Sequence, residues 1–272
     1  MIEKIHHIGV VVENADEALV FFRDALGLDV TADKTIDEQG VRGILLAVGE
    51  NEIELLQPTQ PDTGVSRYLE SKGQTIHHIC FQTDDIVNEL ARLESIDIEL
   101  IDKIPREGLA GEIAFVHPNS TNGVLVELAQ VTANGHSSQE KGFDHLALTS
   151  SDVKQAKVIW EKIISQGTTN DIPVQNRGML ITQVPVSQCI LEILSPLDSS
   201  NVFSKRLDTE GEGMVSMVAI EVDGIANEIE RFRGLGYQLP DATIGPLPNS
   251  MVTTISADQC YGLAIQLIEF SH

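Results

Sequence analysis

The sequence predicts an α+β fold of four βαβββ modules set in two tandem domains, and two observations carry that prediction. One is an internal repeat. Ile5-His-His-Ile-Gly-Val-Val-Val12 returns as Ile76-His-His-Ile-Cys-Phe-Gln-Thr83, 71 residues later. Glu52-Ile-Glu-Leu-Leu-Gln57 returns as Leu125-Val-Glu-Leu-Ala-Gln130, 73 residues later. Phe143-Asp-His-Leu-Ala-Leu148 with Ile190-Leu-Glu-Ile-Leu194 continues the series, and Met217-Val-Ala-Ile-Glu-Val222 with Ala264-Ile-Gln-Leu-Ile268 is a weaker fourth copy. Units of about seventy residues therefore fill the chain. The other observation is Thr132-Ala-Asn-Gly-His-Ser-Ser-Gln-Glu140, a polar segment without periodicity that lies midway and reads as a linker. The expected boundaries are a domain over 1–131, a linker over 132–141 and a second domain over 142–272.

Each unit opens on an apolar run rich in β-branched residues, which predicts a strand. A cap and an amphipathic helix follow. In the first unit Asn14 and Glu17 have the spacing of a capping box, Leu19, Phe22 and Leu26 recur at helical intervals, and Gly27 ends the helix. Asp84, Asp152 and Asp223 mark the corresponding starts in the other units. Two or three further strands close each unit.

Composition narrows the function. The chain has 272 residues, 42% of them hydrophobic, enough for a substantial core and incompatible with a disordered chain. Its longest apolar stretches, Ala18–Phe22 and Ile44–Val48, are five residues each, whereas a spanning helix needs roughly 20. The strand pattern begins directly after Met1, so no apolar leader is expected. Cys80, Cys189 and Cys260 are scattered, as expected of reduced thiols in a cytoplasmic protein. Forty-one acidic against 18 basic residues give a net charge of −23, which repels nucleic acid and anionic membranes. A small-molecule substrate is the expected partner.

The repeats also place chemistry. His7 and His78 hold matching places in the opening strands of the first two units, and Glu54 and Glu127 in their closing strands. Two imidazoles and two carboxylates related by a pseudo-twofold suit an octahedral site for one divalent transition ion, with two positions open. A lone His-His pair is more often one core and one surface histidine. Duplication of both residue types shifts that balance, because a carboxylate inside an apolar run is costly unless paired or metal-bound. The second half keeps His145 and Glu192 at an offset of 138 but has Met217 and Gln266 at an offset of 139, where His78 and Glu127 would stand. A thioether suits such an ion poorly, so that half reads as a degenerate copy.

At these residues the sequence resembles the vicinal oxygen chelate (glyoxalase/bleomycin-resistance/dioxygenase) superfamily, and residues 1–131 resemble the methylmalonyl-CoA epimerase family. The matching stretches are His6-His-Ile-Gly-Val10, Glu38-Gln-Gly-Val41, Glu52-Ile-Glu-Leu-Leu56, Leu69-Glu-Ser-Lys-Gly73, Gly73 through Ile79, Ala114-Phe-Val-His-Pro118 and Gly123-Val-Leu-Val-Glu-Leu128. The resemblance implies two tandem glyoxalase-like domains. It also implies one divalent ion (cobalt, nickel, manganese or zinc) on His7, Glu54, His78 and Glu127. The implied reaction inverts the α-carbon of methylmalonyl-CoA or a similar 2-carboxyacyl thioester through a chelated enolate. Glu127, with Glu54 or Glu38, would exchange the α-proton.

Two other readings suit the same residues: a glyoxalase I-like isomerase of a glutathione hemithioacetal, and a small-ligand binding protein of the bleomycin-resistance type. Some features depart from the family. Gly43 stands where relatives place a second acid, and Asn119 replaces a basic residue. Residues 1–131 hold 24 acids and 9 bases, a balance of −15, with Arg106, Lys103 and Lys72 as candidate cations for a CoA ligand. The expected assembly is a monomer with an internal pseudo-dimer, or a homodimer.

Overall fold

The computed structural model describes residues 1–131, 142–198 and 202–271, the side chains of Val202 and Arg206 excepted. The expected linker, 132–141, lies outside the described residues. The fold is α+β, and all four units have the expected order. The first is β1 (Ile2–Val11), α1 (Ala15–Leu19), β2 (Val30–Ile36), β3 (Val41–Val48) and β4 (Asn51–Pro58). A connecting helix α2 (Gly64–Lys72) leads to β5 (Thr75–Thr83), α3 (Ile86–Ser95), β6 (Arg106–Glu107), β7 (Gly111–Val116) and β8 (Val126–Val131). The third unit is β9 (Phe143–Thr149), α4 (Val153–Ile164), β10 (Asn170–Val174), β11 (Met179–Val186) and β12 (Cys189–Pro196). After α5 (Val202–Glu210) come β13 (Gly213–Glu221), α6 (Ile225–Gly234), β14 (Thr243–Ile244), β15 (Ser250–Ile255) and β16 (Ala264–Phe270).

Two curled eight-stranded sheets result. Their orders are β2-β3-β4-β1-β5-β8-β7-β6 and β10-β11-β12-β9-β13-β16-β15-β14. Each order is symmetric about its central pair of strands, as a duplicated module requires.

Local chemistry moved some boundaries. Asn14 caps α1, accepting from the amides of Asp16 and Glu17, but the return contact runs from the Asn14 amide to Glu17 Oε1 at 2.9 Å. The helix then widens into a π turn over Val20–Ala25. A π turn takes more residues per revolution, so Phe21 and Phe22 are both buried while Leu26 is only half-buried. Gly27 follows at φ +85°, in the left-handed region that ends helices. Asp152 caps α4 as expected, whereas α3 is capped by Asp85 and α6 begins after Gly224, each one residue past the expected start.

By compactness the chain forms two units. Of the described residues, one unit comprises 1–6, 78–131, 145–198 and 202–215; the other comprises 7–77, 142–144 and 216–271. Each unit therefore takes a module from each half. Within the unit that joins the second and third modules, Phe81 lies 6.4 Å from the fully buried Trp160. Arg92 donates to the carbonyls of Lys162 and Ile163 at 2.9 and 2.7 Å. Gly123 has φ +77°, and a Cβ there would stand 2.6 Å from the Glu212 carbonyl oxygen, so no side chain fits.

The unit that joins the first and fourth modules is held differently. The Phe21 ring lies 6.5 Å from Phe232 and 5.3 Å from Tyr237. Arg231 donates to the Ala25 carbonyl at 2.7 Å, and Asn51 accepts from the Phe143 amide at 2.9 Å.

One clamp in the first of these units titrates. Glu212 accepts from the Ser151 amide at 2.7 Å, the Ser151 hydroxyl at 2.6 Å, the Asn122 amide at 3.0 Å and the Ser150 hydroxyl at 3.2 Å. Burial pushes its pKa up, but the donors from Ser151, Asn122 and Ser150 outweigh burial and hold it below the ordinary carboxylate value. A depressed folded-state pKa contributes stability that is present above the unfolded pKa and lost as pH falls through the folded one. Acid titration of the melting temperature is therefore expected to show a steeper loss below about pH 4.5 in the wild type than in Glu212→Gln. Identical acid limbs would remove Glu212 from that role.

Candidate metal centre

Strand register builds the site. In parallel pairs, side chains of facing residues point to one side of the sheet, and alternate residues share it. Glu54 of β4 faces Gly9 of β1, two residues beyond His7. Glu127 of β8 faces Cys80 of β5, again two residues beyond His78. The duplicated spacing in the sequence thus becomes duplicated geometry.

All four residues are buried, with 1% exposure for His7, 6% for Glu54, 2% for His78 and 4% for Glu127. His7 Nε2 lies 3.4 Å from Glu54 Oε2, and His78 Nε2 lies 3.9 Å from Glu127 Oε2. Ligand atoms of His7, Glu54 and His78 all fall within 4.8 Å of one another. Donors about 2.1 Å from one octahedral ion would sit roughly 3 Å apart in adjacent positions and about 4.2 Å apart in opposite ones. For His7, Glu54 and His78 the separations and the mixed nitrogen–oxygen donor set therefore fit a divalent ion, whereas Glu127 reaches only His78 and stands outside that group of three. A thiol group also comes close, since His6, His7 and Cys80 meet the same 4.8 Å criterion.

Glu38 is not brought to this group. It stands exposed in the turn that joins β2 to β3. Glu54 faces Leu45, and β3 must run back to Val41 before that turn begins. Four residues of strand span about 14 Å. Gly43 faces Leu56 and lies inside β3.

An aromatic wall stands beside Glu127 that the sequence reading did not single out. Phe115 of β7 faces Glu127 in register, and its ring meets the His78 ring edge-on at 5.6 Å. Cys80, Ile113 and Ala129 form a buried cluster on which Phe115 packs. Period-two alternation in Ile113-Ala-Phe-Val116 was the available signal, since it sets Ile113 and Phe115 on one face.

The second half repeats the register but keeps only His145 and Glu192 of the four side-chain types. Glu192 faces Ala147, two beyond His145, and Gln266 faces Ala219, two beyond Met217. Where Leu45 faces Glu54, Gln183 faces Glu192. Its amide donates to Glu192 Oε1 at 3.2 Å while accepting from Asn170 at 3.0 Å. A cross-strand hydrogen bond thus satisfies the buried carboxylate there.

Sheets of paired βαβββ modules, in the order seen twice here, define a chain of two tandem glyoxalase-like halves. Residues 6–117 match the model of the glyoxalase/bleomycin resistance protein/dioxygenase superfamily. An uncharacterized protein of Bacillus subtilis (strain 168) is 37% identical over 138 residues, which is 50% of this chain and 99% of that protein. The mitochondrial methylmalonyl-CoA epimerase of Dictyostelium discoideum is 32% identical over 131 residues, covering 47% of this chain and 79% of the epimerase. A variant of 4-hydroxymandelate synthase from Streptomyces coelicolor shares the fold, with TM-score 0.77 at 18% identity over 99% of this chain and 93% of that one. The chain belongs to the glyoxalase/bleomycin resistance protein/dioxygenase superfamily.

Among the described residues, no helix is long and apolar enough to cross a membrane. All three cysteines are buried, and none is in a disulfide.

Proposed function

We propose that residues 1–131 form the catalytic domain of a metal-dependent epimerase of methylmalonyl-CoA or a similar 2-carboxyacyl thioester. Residues 132–141 would link it to a companion domain over 142–272. The observation that carries this reading is the pair of buried His-Glu contacts on identical registers, in a chain similar over about half its length to a methylmalonyl-CoA epimerase. Three cysteines without a disulfide among them support a reducing compartment such as the cytoplasm.

On this reading His7, Glu54, His78 and Glu127 hold one divalent ion of cobalt, nickel, manganese or zinc. When bound, the ion supplies electrostatic stabilisation of the negative charge that develops on the thioester oxygen. Inversion at carbon needs one group to remove the α-proton and another to return a proton on the opposite face. Glu127 and Glu54, related by the module duplication, take these roles.

The test is deuterium exchange at the α-carbon of methylmalonyl-CoA in heavy water, with and without chelator. We expect exchange that chelator abolishes and one added divalent ion per chain restores. Exchange indifferent to chelator, or two ions per chain, would refute the reading.

A further inference from the structure

We infer that Arg106 binds the substrate's carboxylate at the rim of the His78–Glu127 site. The inference rests on the epimerase reading for its substrate and on the structure for its residue. A strongly acidic domain that accepts an anionic ligand needs a cation within reach of the buried donors, and the nine bases of residues 1–131 are mostly committed. Arg42 is bound to Asp33 and Asp16, Arg92 to Glu89 and two carbonyls, Arg23 to Asp24, and Lys103 to Glu94. Arg67 is tied to the carbonyl of Asp62.

Arg106 differs in both place and hold. It lies on β6, the edge strand next to β7, and its guanidinium stacks 5.4 Å from the centroid of the Phe115 ring. That same ring meets His78 edge-on at 5.6 Å and its residue faces Glu127 in register, so the guanidinium and a candidate ligand touch one and the same ring. Its acidic contact is loose, since Nε stands 3.6 Å from Asp102 Oδ2, an atom already accepting from the Phe115 amide at 2.9 Å. The side chain is 40% exposed, open to an incoming anion. Stacking on a ring fixes the plane of the guanidinium while leaving its outer N–H groups free to present a two-pronged donor, the geometry that matches a carboxylate. Phosphates of a CoA moiety have the same oxyanion chemistry but lie at the far end of the pantetheine arm, so the carboxylate is the nearer partner.

The experiment measures binding of three probes to wild type, Arg106→Gln and Arg106→Lys by calorimetry. The probes are methylmalonyl-CoA, propionyl-CoA, which lacks the carboxylate, and methylmalonyl-pantetheine, which lacks the phosphates. We expect Arg106→Gln to weaken both methylmalonyl thioesters roughly 10- to 100-fold and to leave propionyl-CoA unchanged, with Arg106→Lys in between. Equal weakening of the two CoA thioesters with no effect on the pantetheine thioester would assign Arg106 to phosphate and overturn the inference. Unchanged binding of all three would overturn it too. Wild-type α-proton exchange is read separately. Its absence, alongside discriminating binding, would sink the epimerase reading and leave the carboxylate contact standing. Arg106→Gln is expected to melt with wild type because the residue is partly exposed at a sheet edge.

Discussion

Glu127→Gln is expected to lower α-proton exchange by roughly 10²- to 10⁴-fold, the range over which a positioned acid or base contributes. The amide keeps an oxygen where Glu127 Oε2 stands 3.9 Å from His78 but loses the charge and nearly all the basicity. Metal content should therefore fall far less than activity. His78→Ala should act the other way round, removing a donor from the group it shares with His7 and Glu54 and losing the ion itself. Elemental analysis beside the exchange assay separates the two. Wild-type exchange in Glu127→Gln would move the base elsewhere. A loss of the same size in Glu38→Gln would move it to the exposed turn before β3.

Removing residues 142–272 is expected to leave a protein that either dimerises or precipitates. The first half then loses the partners of Phe21, which are Phe232 and Tyr237, and of Phe81, which is Trp160. Burying a large aromatic side chain contributes about 1.5–3 kcal/mol, so exposing several removes a large part of a typical domain's 5–15 kcal/mol. Size-exclusion chromatography of residues 1–131 tests this. A monomeric, stable and fully active fragment would show that the second half does not serve as a scaffold and would favour a separate ligand-binding role for it.

The fold was legible because duplication is a long-range signal: four copies of one strand pattern fix the module, its order and the equivalence of His7 with His78. The same equivalence marked His7, Glu54, His78 and Glu127, all of them buried, since period-two alternation converts matching positions into matching faces. Other features depend on contacts that periodicity does not encode. The π turn over Val20–Ala25 rotates Phe21 inward, although the heptad-like stripe ran through Leu19, Phe22 and Leu26. Caps slipped from Asp84 to Asp85 and from Asp223 to Gly224, because neighbouring Asp and Gly residues compete for one turn. Gln183 lay within an ordinary strand, and only cross-strand register shows that it meets Glu192. Arg106 was one of three candidate cations, and the ring beneath it is what separates it from Lys103 and Lys72.

The pairing of modules across the halves bears on how the chain is made. One compact unit needs residues 7–77 together with 216–271, so its packing partners are separated by most of the polypeptide. Contacts of such long sequence separation close late and slow folding. During synthesis the π-turn face of the first module must wait, uncovered, until the fourth has emerged. The ribosome-bound nascent chain would thus be a target for holding chaperones over that interval, and slowing translation between the first and fourth modules should raise aggregation more than slowing it within the first.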